Sequence, residues 1–363
     1  MIYNRRQFLI LTGGLVGITF ATISHKLFSQ SQPNLSQNKQ IAPPEPSPIN
    51  QPIAIAPDGL YAPMKGDVRI VVISDLNSQY GSTDYDPEVD KAIALIPQWK
   101  PDLLLCGGDM VAGQKRSLTK QQIEAMWSAF DVHIAAPLRQ AKLPFGFTIG
   151  NHDGSGSMSG GKYNFQQERN LASAYWNNPN HNPGLNFVDQ ANFPFYYSFK
   201  EKDIFYLVWD ASTHIIDVNQ LTWVENSLNS SQAKQAKLRL AIGHLPLYPV
   251  AVGRNTPGNY MAEGEKLQNL LEQYDVHTYI SGHHHAYYPG KTGQLELLHS
   301  GALGGGPRQL LNSNLSPQKT LTVVDISLDS EATRYTTYDM KSLQVIDIQT
   351  LPKSIGKIIR KDL

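Results

Sequence analysis

Five short segments of the chain carry side chains that bind metal ions, and each segment directly follows a run of apolar residues. They are Asp75-Leu76-Asn77, Gly108-Asp109, Gly150-Asn151-His152-Asp153, Gly243-His244 and Gly282-His283-His284-His285. Their carboxylate oxygens, amide oxygens and imidazole nitrogens suit borderline cations such as Zn, Fe and Mn, and there is no thiolate among them. A single Asn-His-Asp is ordinary turn chemistry. Its recurrence with related residues after five apolar runs favours a metal site.

The number of candidate ligands indicates more than one ion. Seven side chains are candidates: Asp75, Asn77, Asp109, Asn151, His244, His283 and His285. One tetrahedral site cannot use them all. Two adjacent ions that share a bridging carboxylate would, and such a pair hydrolyses phosphate esters by holding both the attacking and the leaving oxygen.

The apolar runs before these segments have the length and composition of buried β-strands. They are residues 68–74, 103–106, 143–149, 238–242 and 276–280. The pattern also predicts crossover helices that start at Asp86-Pro87 and over residues 119–141. Strands that alternate with helices predict a parallel sheet, whose carboxyl ends lie at one edge. The five candidate segments are therefore expected to converge there.

The second half of the chain contains weaker signals. We expect a helix over residues 164–176, a hairpin of residues 195–199 and 204–209, a helix that Asn219 caps and that runs to Leu228, and a helix over residues 262–274. The last strands are expected at residues 295–298, 321–326, 333–338 and 344–348, as a second sheet.

The order of the five segments resembles that of the calcineurin-like metallophosphoesterase superfamily. The resemblance extends over residues 68–306 and is most specific in Gly-Asn-His-Asp and Gly-His-x-His. Residues 195–199 and 243–248 also look, more loosely, like the purple acid phosphatase branch. The resemblance implies a four-layer α/β/β/α sandwich in which helices flank two mixed sheets.

The same resemblance implies roles for individual residues. Asp75 and His285 would bind the first metal ion, Asp109 would bridge, and Asn151, His244 and His283 would bind the second. His152 would be the catalytic histidine, which assists the leaving-group oxygen without binding metal. The nucleophile would be a hydroxide on the metal ions, which are expected to be Mn, Fe or Zn.

Asn77 departs from the family pattern, which has His two residues after the first Asp. Purple acid phosphatases also lack this His but carry a Tyr shortly after Gly-Asp, where this chain has Met110 and Val111. Two interpretations follow. Either Asn77 binds through its carbonyl oxygen or a water, which favours Mn or Fe over Zn, or the first site is weak and activity is reduced.

Three further residues are candidate substrate contacts. Arg254 and Arg308 lie in loops that contain Gly and Pro and are candidates to neutralise a substrate phosphate. His284 lies between two predicted ligands and points elsewhere, so it is either structural or directed toward substrate. The segment from Ser300 to Gly306 is compatible with an anion-binding backbone nest, although a tight connection between strands is favoured.

Composition excludes some classes of function. Lys plus Arg and Asp plus Glu both number 31, so no basic surface for nucleic acid is expected. Cys106 is the only cysteine, which rules out an intrachain disulfide. The core, and metal ions, must therefore stabilise the fold.

The first 58 residues differ in composition from the rest. Arg5-Arg6 precedes the apolar residues 9–20, which resembles a twin-arginine export signal or an N-terminal anchor over residues 1–28. Residues 29–58 are rich in Gln, Pro and Ser and predict a disordered linker. The folded domain is predicted at 59–363. The protein is expected outside the cytoplasm, periplasmic or membrane-anchored, with transient contact to a membrane or export machinery.

Together these features predict an exported phosphoester hydrolase for a small-molecule substrate, with monoesters favoured over diesters. The alternatives are a phosphodiesterase or nucleotidase of the same fold, and a non-catalytic metal-binding scaffold protein whose first site is degenerate.

Overall fold

Two mixed β-sheets form the middle of the fold. The structure, a computed structural model, describes residues 53–77 and 79–363. In chain order, the strands of these residues are β1 (Val68–Ile73), β2 (Leu103–Cys106), β3 (Phe145–Phe147), β4 (Met158–Ser159), β5 (Lys162–Tyr163), β6 (Phe187–Asn192), β7 (Tyr196–Glu201), β8 (Ile204–Val208), β9 (Leu238–Ile242), β10 (Thr278–Ser281), β11 (Tyr287–Thr292), β12 (Leu295–Ser300), β13 (Thr320–Ser327), β14 (Ala332–Asp339), β15 (Ser354–Ile355) and β16 (Ile358–Arg360).

The first sheet has five strands in the order β14-β13-β1-β2-β3. Strands β1, β2 and β3 are parallel, whereas β13 is antiparallel to both β1 and β14. The second sheet has nine strands in the order β15-β16-β11-β12-β10-β9-β8-β7-β6, and β8, β9, β10 and β12 are parallel. Strands β4 and β5 form a separate small hairpin.

Helices cover the outer face of each sheet. The α-helices of the described residues are α1 (Pro87–Leu95), α2 (Lys120–Phe130), α3 (Ala136–Gln140), α4 (Asn151–Gly154), α5 (Gln166–Trp176), α6 (Val218–Leu228), α7 (Ser231–Gln235) and α8 (Gly264–Gln273). A π-helical turn, Asp131–Ala135, joins α2 to α3. Short 3₁₀ helices occupy Ile96–Trp99, Pro179–His181 and Ile348–Thr350.

The alternation of side chains along β1 explains the layering. Ile70 and Val72 pack in the core shared with the second sheet, whereas Val71 and Ile73 pack against α1 and α2. Because every residue of β1 is buried, its β-branched side chains fill both cores. The predicted four-layer α/β/β/α sandwich of two mixed sheets is confirmed.

Several predicted elements need correction. Asp217, not Asn219, caps α6, because its carboxylate accepts the backbone N–H groups of Asn219 and Gln220. Residues 344–348 do not form a strand, since only Val345 makes an isolated bridge to Tyr338. The C-terminal strands also divide between the sheets: β13 and β14 complete the first sheet, and β12 belongs to the second.

The signal or anchor predicted at residues 1–28 lies outside the described residues, as does the linker predicted at 29–58 apart from its last six residues. These six pair with the domain, since Ala54 bridges Met64 and the Arg69 side chain donates to the carbonyl of Ile55. Ordered chain therefore starts before Gly59. Over the described residues, no helix combines the length and the apolar character needed to span a membrane.

The ion pair of Arg69 with Asp325 links β1 to β13. Both side chains are fully buried, and the guanidinium donates to the carboxylate at 2.7 and 3.0 Å. Arg69→Met should lower the free energy of unfolding by about 3–5 kcal/mol, because it leaves a buried carboxylate unpaired. Urea denaturation measures this.

The partly exposed pair of Lys65 with Asp102 is the control. Lys65→Met should cost less than about 1 kcal/mol, because solvent screens this pair. An equal fall in the free energy of unfolding in Arg69→Met and Lys65→Met would contradict the importance given to Arg69.

Candidate metal centre

The predicted ligands converge where strands of the two sheets end. Asp75 follows β1, Asp109 follows β2 and Asn151 begins α4 after β3, all in the first sheet, while His244 follows β9 and His283 follows β10 in the second. Ligand atoms of Asp109, His244 and His283 lie within 4.8 Å of one another, and so do those of Asp75, Asp109 and His285. The carboxylate of Asp109 belongs to both groups, which is the position of a bridging ligand.

The backbone at this edge is in an uncommon conformation. Four of the converging residues, Asp75, Asp109, His283 and His285, have φ values of 53°, 53°, 63° and 53°. Residues other than glycine rarely adopt this left-handed region, and such strain persists only where the surroundings enforce it. Here the strand ends are tied together: the Asp75 N–H donates to the carbonyl of Gly108 at 2.9 Å.

Glycine is required beside the ligands. Gly108 has a φ of 96°, and a Cβ there would lie 2.7 Å from Nδ1 of His244. A Cβ on Gly150 would collide with the carboxylate of Asp109. The glycines that precede Asp109 and Asn151 therefore allow the two turns to pack against each other.

Hydrogen bonds orient two of the imidazoles. His244 directs Nδ1 to the carbonyl of Gly107 at 2.7 Å, and His285 directs Nδ1 to that of Gly306 at 2.8 Å. Their Nε2 atoms then lie 3.2 Å from the carboxylates of Asp109 and Asp75, respectively. Carbonyl contacts of this kind fix the tautomer of histidines that bind metals.

Asn151 and His283 complete the second group. The carboxamide oxygen of Asn151 lies 2.8 Å from Nδ1 of His283 and 3.0 Å from Nε2 of His244. Its amide nitrogen donates to Gln114 at 2.7 Å, so the oxygen is turned inward. Burial and the neighbouring His244 lower the pKa of His283, which keeps it in the neutral form that binds cations.

The electrostatics of Asp109 suit a cation. Burial acts to raise its pKa, but His244 and His152 outweigh burial and hold the pKa well below the usual range. Asp109 in turn raises the pKa of His244 to about 9 against the opposing effect of burial. The ionised carboxylate thus needs positive charge beside it, which a metal ion supplies in place of the imidazole proton. The donor set, geometry and charge fit two metal ions.

Asn77 does not join either group. Its amide nitrogen donates to the carbonyls of Ser82 and Asp84, at 3.1 and 3.2 Å, and its oxygen accepts the N–H of Gln79. These contacts favour a local role, in which the carboxamide holds the loop after β1, over the expected binding of metal by Asn77. The first group keeps three protein ligands, Asp75, Asp109 and His285.

His152 lies beside the two groups and belongs to neither. Its backbone N–H donates to Asp109 at 2.8 Å, and Nδ1 lies 3.1 Å from the carbonyl of Gly113. Nε2 is 3.9 Å from the Asp109 carboxylate. The imidazole therefore presents Nε2 at the rim of the site, where proton transfer to a ligand is possible.

His284 is not available to a substrate. It is fully buried, accepts the N–H of Val250 at Nδ1 and contacts the carbonyl of Asn259 through Nε2 at 2.9 Å. Its ring ties the loop after β9 to β10, which agrees with the structural alternative of the two that the sequence left open. Arg254, by contrast, lies beside His283, with its guanidinium 3.4 Å from Nε2.

The segment from Ser300 to Gly306 is not a tight connection between strands, because it begins the long loop between β12, which ends at Ser300, and β13, which begins at Thr320. The N–H groups of Leu303 and Gly304 donate to the carbonyls of Ser74 and Asp75, at 2.9 and 3.0 Å. Two of the donors that an anion nest requires are thus already used. The segment instead fixes the turn that carries Asp75.

Two residues at the site have roles that the sequence interpretation missed. Asp153 accepts the N–H groups of Met110, Val111 and Gly150, all within 2.9 Å, and so fastens the turn of Asp109 to that of Asn151. The ring of Tyr80 lies 5.2 Å from that of His152. The Gly-Asn-His-Asp motif pointed to Asp153, but no sequence signal pointed to Tyr80.

Comparison with known proteins assigns the family. The sequence model described as calcineurin-like phosphoesterase matches residues 68–287, which is more than half of the chain. The chain belongs to the calcineurin-like phosphoesterase family. This family uses divalent metal ions, in agreement with the two ligand groups.

A solved structure supports the fold. A purple acid phosphatase, PPD1, from seeds of yellow lupin (Lupinus luteus) matches with a TM-score of 0.53 and 17% identity, over 77% of this chain and 52% of that chain. GAP50, the anchor in the inner membrane complex of Plasmodium, matches with a TM-score of 0.48 and 16% identity, over 81% and 89%. The chain thus spans about half the length of the lupin phosphatase. No curated protein sequence matches it.

The two groups predict how metal content responds to substitution. Asp109→Asn should lose both ions, because it removes the ligand common to the groups, whereas His244→Ala should lose one. Asn77→Ala is the control and should keep both metal ions, since the carboxamide of Asn77 contacts only its own loop. Elemental analysis after gel filtration measures this. Loss of metal from Asn77→Ala would restore Asn77 as a ligand.

Proposed function

We propose that this protein is a phosphoester hydrolase with a two-ion centre, in which His152 assists the departure of the leaving group. The observation that carries the proposal is the position of Asp109: its buried carboxylate is common to two ligand groups and lies within reach of His152. Family membership supports the class of reaction.

The ligand side chains of such a centre form two sets, one for each metal ion. Asp75, Asp109 and His285 would hold one ion, and Asn151, His244 and His283 would hold the second together with Asp109. When bound, the ions would draw in the phosphoryl oxygens and make water acidic enough to attack phosphorus near neutral pH. The strained turns keep the ligands in place before any ion arrives.

His152 would donate a proton to the leaving group. Because Nδ1 faces the carbonyl of Gly113, the ring keeps a proton there and exchanges its second proton at Nε2. Nε2 is the atom that faces the site. The imidazolium would therefore donate from Nε2 to the departing ester oxygen, and Asp109 would stabilise its positive charge.

A second candidate function is a metal-binding scaffold protein without turnover. The commitment of Asn77 to its own loop favours it, because the first group then has one protein ligand fewer than the family pattern. Two equivalents of metal with hydrolysis of 4-nitrophenyl phosphate would support the enzyme, and one equivalent or none without hydrolysis would support the scaffold. The bis(4-nitrophenyl) diester, with Mn, Fe or Zn, would distinguish a phosphodiesterase.

His152→Ala should lower kcat for 4-nitrophenyl phosphate by at least ~100-fold, the contribution typical of a general acid. The metal content should not change, since His152 belongs to neither group. Steady-state kinetics and elemental analysis test the two statements. His181→Ala, which removes a partly buried ring stacked on Tyr175 and outside both ligand groups, should leave kcat unchanged. Loss of metal from His152→Ala would show that the assigned role is wrong.

We also propose that the protein is exported, periplasmic or held at the membrane with the domain outside the cytoplasm. The support is the Arg5-Arg6 pair before an apolar segment, which resembles a signal for export of folded proteins. Such a route would let the metal centre form before transport.

Replacing Arg5 and Arg6 by Lys should abolish export of the full chain, because the twin-arginine pathway reads that pair. Cell fractionation and immunoblotting measure it. Lys26→Arg is the control outside the motif. Unchanged export of the double variant would exclude this pathway.

A further inference from the structure

Two loops beside the metal centre are joined to each other and each carries an arginine. The loop of Arg254 and the loop of Arg308 meet at the bridge between Ala251 and Leu310. The N–H of Val252 donates to the carbonyl of Gln309 at 2.9 Å. The loops therefore form one unit, and Arg254 and Arg308 lie next to each other within it.

This unit is fixed to the ligands of the metal centre. The backbone N–H of Arg308 donates to the carbonyl of His285 at 2.8 Å. The guanidinium of Arg254 lies 3.4 Å from Nε2 of His283 and donates to Asn259 at 2.8 Å. Each arginine is thus tied to one of the two histidines of the Gly-His-x-His motif.

The two arginines have no carboxylate partner among the residues that the structure describes. Neither forms an ion pair there, and the Nε atoms of both are buried without a hydrogen-bond partner. A Cβ on Gly253, the residue before Arg254, would lie 3.8 Å from the guanidinium of Arg308, so the two arginines are close together. Two partly buried like charges are therefore held together beside the centre.

Such an arrangement is costly in the free protein. Desolvation and mutual repulsion disfavour the charged forms, and unpaired buried donors add to the cost. A bound anion removes both penalties. The planar fork of a guanidinium matches the spacing of phosphate oxygens and binds them through short, charge-assisted hydrogen bonds.

We propose that Arg254 and Arg308 form a phosphoryl-binding pair that makes the site prefer dianionic phosphomonoesters to monoanionic diesters. The preference rests on the proposed phosphoester hydrolysis, whereas the binding of phosphate does not. A monoester near neutral pH carries almost two negative charges and three oxygens free to accept hydrogen bonds. A diester offers one charge and two such oxygens, so it has less to gain from a second guanidinium.

Calorimetric titration of the Mn-loaded full chain with inorganic phosphate tests the binding. Arg254→Gln and Arg308→Gln should each weaken phosphate binding by about 10- to 100-fold, the value of a charge-assisted hydrogen bond. Arg254→Lys keeps the charge but loses the planar guanidinium, so its affinity for phosphate should lie between that of Arg254→Gln and that of the wild type. Arg334→Gln, an exposed arginine of β14, is the matched control and should bind as wild type does.

The specificity is tested with an aryl monoester and the matching bis-aryl diester. The two Gln variants should lower kcat/KM for 4-nitrophenyl phosphate by about 10- to 100-fold and that for bis(4-nitrophenyl) phosphate by less than ~3-fold. Metal content should stay at the wild-type value, which separates loss of substrate contact from loss of the centre.

Unchanged phosphate affinity in both Gln variants would overturn the proposed phosphoryl-binding pair. Equal falls in kcat/KM for the monoester and the diester would overturn its role in specificity. A wild-type chain that binds phosphate through the arginines but hydrolyses neither ester would refute the proposed function and leave the binding pair standing. Failure of the Mn-loaded wild type to bind phosphate would refute the pair.

Discussion

Asp109 lies where the two sheets meet, and its buried carboxylate must be neutralised by groups that arrive from both. It follows a strand of the first sheet and faces His244, which follows a strand of the second, at 3.2 Å with neither side chain more than 3% exposed. An ionised carboxylate in such surroundings is costly unless it is paired and hydrogen-bonded. The packing of the two sheets therefore depends on positive charge at this point, and the same requirement creates a place for cations. Asp153 makes the geometry rigid by accepting three backbone N–H groups from the turns on either side.

The sequence was sufficient for the strands that carry the ligands. Strands β2 and β9 have the predicted boundaries, because each is a short, mostly apolar and mostly buried run that ends at glycine. The order of acidic, amide and imidazole side chains at their ends then identified the family. The parallel arrangement brings together the ligands that follow β1, β2 and β3 in the first sheet and those that follow β9 and β10 in the second, whereas the meeting of the two sets depends on how the sheets pack.

Other features depended on contacts that local patterns do not encode. The sequence placed β13 and β14 in a second sheet, but β13 pairs with β1, and Arg69 and Asp325 lie opposite each other in this pair and bury their charges together. Asn77 looked like a ligand from its spacing to Asp75, whereas the loop beyond it offers its amide two carbonyls, those of Ser82 and Asp84. His284 also matched a motif, yet its ring is fully buried and contacts the backbone of Val250 and Asn259. In each case tertiary packing decided between roles that the residue type alone allowed.

The position of β1 in its sheet determines when, during synthesis, the sheet and the cation site beside it can be completed. On one side β1 pairs with β2, which the ribosome makes soon afterwards, but on the other it pairs with β13, where Val68 faces Ile326. Until that distant segment emerges, one edge of β1 stays open, and the contact order of the finished sheet is high. Asp75 directly follows this strand, so a nascent chain acquires a complete cation site only when nearly all of it has been synthesised.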